Sequence, residues 1–106
     1  MIPDCIKEQI ITHCEFIKTG KPASSIAVQE RFISDVTELV DSYNLFHYTE
    51  SLYDGWKTIW IYRYPHILEV IKESPQVPKT KYEHWVLGKL YGYDETSIQE
   101  FLTKHV

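Results

Sequence analysis

Apolar side chains recur at helical intervals through residues 3–19. Ile6, Ile10, Cys14 and Ile17 line one side of a wheel whose remainder carries Lys7, Glu8, Glu15 and Lys18. Pro3 suits a first helical turn, and Gly20-Lys21-Pro22 stops the helix, because glycine provides a left-handed stop and proline cannot continue the ladder. The next stripe is Phe32, Ile33, Val36, Val40 and Tyr43, with Ser24 or Ser25 placed to cap it, so the pattern predicts a second helix ending near Tyr43 or Asn44. Asp35, Glu38 and Asp41 climb the other side of that helix at three-residue steps.

At Leu45 the period changes. Residues 45–53 and 56–64 are two runs rich in aromatic and β-branched side chains around Asp54-Gly55, which predicts a β-hairpin. If the two-residue turn alone sets the register, Tyr53 faces Trp56, Thr49 faces Trp60, His47 faces Tyr62 and Leu45 faces Tyr64, all on one side. The opposite side then collects Phe46, Tyr48, Ile59 and Ile61 and reads as the core side. A lone hairpin is marginal in water, so helices must cover at least one of its faces.

Pro65 opens a short helix carrying Ile67, Leu68 and Ile71, which Ser74-Pro75 ends; Pro75 and Pro78 stiffen the connection to Thr80. Residues 82–102 then read as helix, tight turn, helix. Thr80 with Glu83 forms a capping box, Gly92 stands where a helix C-terminus favours a left-handed residue, and Asp94 caps the following helix. Trp85, Leu90, Ile98 and Phe101 are the core positions expected of this unit.

Length makes this one domain, since two halves of 106 residues would each have a marginal core. The expected fold class is α+β: four to five helices packed around one antiparallel hairpin, with the helix-turn-helix-like unit at the C-terminal end. An apolar fraction of 43% and a charged fraction of 25% are ordinary for a globular chain. Aromatics reach 14% and crowd between Tyr43 and Tyr93, so they either fill a core or anchor a partner. No apolar run approaches the ~20 residues that span a bilayer, and the chain reads as cytoplasmic. Cys5 and Cys14 stand about 13 Å apart along one helix, too far for a disulfide, and read as reduced thiols.

Charge narrows the function classes. The net charge is −4, and residues 1–43 alone hold seven acids against four basic residues, which argues against nucleic acid or an anionic membrane as the partner. No histidine pair has metal-ligand spacing and no Ser or Cys sits in a nucleophile elbow, so neither metal nor cofactor is expected. His47 near Glu50, or His84 near Glu83, is the remaining route to acid-base chemistry.

The spacing of Gly88, Gly92 and Ile98 resembles that of a DNA-binding helix-turn-helix, which would imply a transcriptional regulator. Its second helix departs from such a reader, since Asp94, Glu95 and Glu100 would repel phosphates. The reading adopted is therefore a small acidic, non-enzymatic protein-binding module. Its composition suits an anti-defence inhibitor from a phage or mobile element, acting on a basic, nucleic-acid-handling enzyme. Asp35, Glu38 and Asp41 would meet the partner's basic groove, and Tyr53, Trp56, Trp60, Tyr62 and Tyr64 would supply the anchors.

Overall fold

The first helical pattern forms α1 (Asp4–Lys18), with Pro3 before it and Thr19 closing it through N–H bonds to the Glu15 and Phe16 carbonyls. In this computed structural model, which describes residues 2–74 and 77–105, the chain then departs from the expected second helix. Ala23–Gln29 is a strand, β1; a single 3-10 turn covers Glu30–Phe32, and α2 begins only at Ile33 (Ile33–Ser42). Ser24 therefore caps nothing: it is buried in β1 opposite Ile61. The two-residue step from Ile26 to Val28 is strand period, and it prevails over the helical stripe that starts at Phe32. Asn44 ends α2 in the left-handed region (φ 58°), a conformation asparagine tolerates better than most residues.

β2 (Phe46–Tyr53) and β3 (Trp56–Tyr62) pair antiparallel around Asp54-Gly55, and β1 pairs with the other edge of β3. The expected lone hairpin is thus a three-stranded sheet in the order β1-β3-β2, with β3 in the middle.

The expected pairing holds at Tyr53 and Trp56 and fails beyond them. The register shifts between Ser51 and Tyr53, so Glu50 faces Thr58, Tyr48 faces Trp60 and Phe46 faces Tyr62. A one-residue bulge transfers every following side chain to the other face. Phe46 and Tyr48 consequently leave the side of Ile59 and Ile61, while His47 and Thr49 move onto it. Stacking of Phe46 on Tyr62, with centroids 5.6 Å apart, accompanies the shifted register.

The two sheet faces build two cores. On the first, Val28, Ile59 and Ile61 pack with Ile10, Cys14 and Ile17 of α1 and with Val36 and Val40 of α2. On the second, Ala23, Trp60 and Tyr62 pack with Ile71 of α3 (Ile67–Glu73) and Leu90 of α4 (Lys81–Leu90), with Tyr48, Leu87 and Tyr91 alongside. Ser74 follows α3 in extended backbone, as a residue before proline prefers; Pro75 itself lies outside the described residues.

Thr80 and Glu83 form the expected capping box, with Glu83 N–H donating to Thr80 Oγ1 at 3.1 Å and Glu83 Oε1 accepting from the Thr80 N–H at 3.1 Å. Gly92 takes φ 86°, and the chain turns into α5 (Glu95–His105), where the Ser97 N–H donates to Asp94 Oδ1 at 2.7 Å. A Cβ on Gly88 would lie 2.8 Å from Ile98 Cγ1, so only glycine lets α5 approach α4 this closely. Of the core positions expected here, Leu90 and Ile98 are buried, Trp85 is half-buried and Phe101 is exposed.

Candidate functional site

Charge on the helices is divided by layer. α1 and α2 together carry six carboxylates and two lysines, whereas α3, α4 and α5 carry five carboxylates and four lysines. Nearly all the net negative charge therefore faces outward from the helices that cover the first sheet face. Glu38 and Asp41 are exposed on α2 and Asp35 is half-buried beside them. With Asp4 and Lys7 of α1, Asp35 and Glu38 line a shallow groove of about 380 Å³ floored by Ile2 and Leu39. At the end of the row the His47 imidazole meets Asp41 Oδ1 at 3.1 Å, so this acid has a cationic partner whenever the ring is protonated.

The five aromatic residues expected as anchors are not brought together. Trp60 (7% exposed) and Tyr62 (4%) belong to the second core, where burial raises the Tyr62 phenol above its ordinary value. Trp60 stacks on Tyr91 with centroids 5.7 Å apart and donates its indole N–H to Glu50 Oε1 at 2.5 Å. Tyr64 (52% exposed) lies beyond the far end of β3, against His66 and under the Arg63 guanidinium.

Tyr53 (63% exposed) and Trp56 remain at the hairpin tip, with ring centroids 6.1 Å apart. Trp56 shares a cleft of about 150 Å³ with Ile6 and Gln9 of α1 and the outer end of β1. Of this pair, Trp56 thus borders α1.

Carboxylates in the C-terminal unit are held by local donors instead. Glu83 accepts the backbone N–H groups of Lys79 and Thr80, Asp94 accepts that of Ser97, and Glu95 meets the Lys89 ammonium and the Trp85 indole; each lies below its ordinary pKa for these reasons. Between α4 and α5 runs an apolar cleft of about 370 Å³ lined by His84, Leu87, Tyr93 and Phe101. His84 stands against the Phe101 ring, 5.2 Å between centroids, and His105 stands 4.8 Å from the same ring.

Two buried polar atoms lack a hydrogen-bond partner among the described residues: His13 Nδ1 on α1 and Ser24 Oγ on β1. Cys14, buried in the first core, has its thiol pushed up to about 11, by burial first and by Glu15 second, which makes it a packing group rather than a nucleophile. Cys5 is an exposed free thiol. Among the described residues no group of three or more His, Cys, Asp or Glu side chains is placed to hold a metal ion, and no helix is long and apolar enough to cross a membrane.

Sequence reasoning missed the polar cluster of Glu50, Ser25 and Tyr91 around Trp60. Ser25 Oγ and the Tyr91 hydroxyl are 2.8 Å apart, joining residues far separated along the chain. The only sequence signal was indirect: a strand carrying two tryptophans needs partners for their indole N–H groups. Compared with models of protein families and with curated proteins, the sequence matches neither, so any functional reading of this chain rests on the chemistry of its surfaces.

Proposed function

We propose that this protein is a non-catalytic binding module that docks the acidic outer face of α1 and α2 onto a basic surface of another protein, as an inhibitor of a nucleic-acid-handling enzyme would. The observation that supports this reading is the layer imbalance: six carboxylates against two lysines on α1 and α2, with Glu38 and Asp41 turned to solvent. A predominantly acidic face raises the encounter rate with the opposite sign and discriminates against like-charged partners. Trp56, beside α1, and Tyr53, next to Trp56 at the hairpin tip, supply the large, stiff side chains that carry binding energy in such contacts. In this reading Trp60 and Tyr62 support the fold and are not anchors.

Zero-length carbodiimide cross-linking in a lysate of the source organism tests the reading, because it joins carboxylates only to amines in direct contact. The expected result is partner peptides coupled through Glu38 and Asp41. Loss of the product is expected in the variant carrying Asp35→Lys, Glu38→Lys and Asp41→Lys, with its thermal unfolding preserved. Products that map to α4 or α5, or that survive charge reversal, would overturn it.

The DNA-reading alternative draws support from the close Gly88–Ile98 packing, which a helix-turn-helix also uses. Against it stand the exposed Glu95 and Glu100 on α5, where a reader presents donors to phosphates.

A further inference from the structure

Among the described residues, the second face of the sheet is only partly covered. α3 and α4 close it over Ala23, Tyr62 and Trp60, while Ala27 is exposed and Thr58 half-buried toward the hairpin tip. In the space left open is a groove of about 310 Å³, lined among others by Ser25, Glu50, Thr58, Trp60, Leu87 and Tyr91. It is at the small end of the range for ligand sites.

The occupant is indicated by Glu50. Its carboxylate is half-buried, and Oε1 is aimed by the Trp60 indole N–H at 2.5 Å. Among the described residues no Lys or Arg nitrogen lies within 4.0 Å of it. Lys57 is turned to Ser51 and Glu30, and Lys72 lies over the Tyr48 ring. One indole N–H leaves most of the carboxylate's acceptor positions unused, and a cationic donor entering the groove can take them with charge-assisted hydrogen bonds.

The surrounding groups fit the same guest. Ser25, Thr58 and Tyr91 offer hydroxyl oxygens that can accept from an ammonium or guanidinium, and Leu87 gives an apolar wall for an alkyl stem. An anion would meet Glu50, and a neutral alcohol would leave its charge unbalanced.

We propose that this groove binds a primary amine or guanidinium carried on an apolar stem, with Glu50 as its counter-ion. A lysine or arginine side chain of a protein and a free alkylamine both carry such a stem; the recognising chemistry is shared. The site is on the opposite side of the sheet from the acidic helical layer, so charge reversal on α2 leaves it intact.

The test follows the Trp60 indole N–H resonance of the ¹⁵N-labelled full chain, assigned through Trp60→Phe, during titration with pentylamine, pentylguanidine and pentanol. Saturable shifts are expected from both cations, with pentanol about ten-fold or more weaker, equivalent to about 1.4 kcal/mol. Glu50→Gln keeps an oxygen for the indole and removes the charge; it is expected to weaken both cations by a similar factor while the melting temperature holds. If Glu50→Gln does not fold, the amine-to-alcohol comparison on the wild-type chain decides alone.

Capped tripeptides centred on Lys or Arg separate the sources. Binding at least as tight as the free amines assigns the groove to a protein side chain, and exclusion of the peptides assigns it to a small amine. Absence of a saturable shift with either cation, or equal affinity for pentanol, would overturn the proposal.

Discussion

On one face of the sheet, Ile59, Ile61 and Val28 meet the aliphatic stripes of α1 and α2; on the other, Trp60, Tyr62 and Tyr48 pack with residues of α3 and α4, and among the described residues the tip end stays open. Aliphatic side chains ask only for contact, so two amphipathic helices close the first face with Ile10, Ile17, Val36 and Val40 fully buried. Aromatic side chains with polar tips also need partners: the Trp60 indole takes Glu50 and the Tyr91 hydroxyl takes Ser25. That requirement places a carboxylate and hydroxyls on the second face. Aliphatic packing is thus concentrated on the first face, and the second combines aromatic packing with polar groups.

The largest expected effect breaks this contrast directly. Ile61→Ala, on the closed face, should cost about 3–4 kcal/mol in urea unfolding, whereas Tyr48→Ala, half-buried on the open face, should cost about 1 kcal/mol. Equal losses would mean that the two layers are closed alike.

A middle effect is expected at the outermost packing step of the second side. Gly88→Ala puts a methyl against the branch of Ile98 and should destabilise by about 1–3 kcal/mol. Hydrogen exchange should accelerate in α5 while α1 and α2 stay protected. Combined with Ile98→Ala, the added cost of the glycine change should nearly vanish, since the clashing atoms are gone.

The smallest effect concerns His13 on the closed side. Burial first, and the Lys21 ammonium second, hold its imidazole below its ordinary value. Folding therefore favours the neutral ring, and protonation favours the unfolded chain. Its contribution is complete above about pH 6.5 and declines as the pH falls through that value toward the lowered one. Thermal melts from pH 8 to pH 5 should show a shallower decline in His13→Leu than in the parent, and a steeper one would reverse the sign assigned here.

Much of the fold was legible in residue order because the signals are local. Helical period marked α1, the later part of the second stripe marked α2, and Thr80, Glu83, Gly92 and Asp94 marked the ends of α4 and α5. β1 was misread because only Ile26 and Val28 report its strand period before the helical stripe begins. The acidic row was legible as well, since three-residue spacing on a helix fixes a common side wherever that helix packs.

What the sequence by itself determined is therefore the set of local elements, their caps and the charge carried by α1 and α2. Tertiary structure decided the partner of each strand, the bulge between Ser51 and Tyr53, and with it which aromatics are buried and where Glu50 points. The physical reason is the two-residue alternation of a strand. A single unpaired residue exchanges its two faces, and the energy that selects the bulged register comes from contacts with β3, α3 and α4 that no local pattern in β2 encodes.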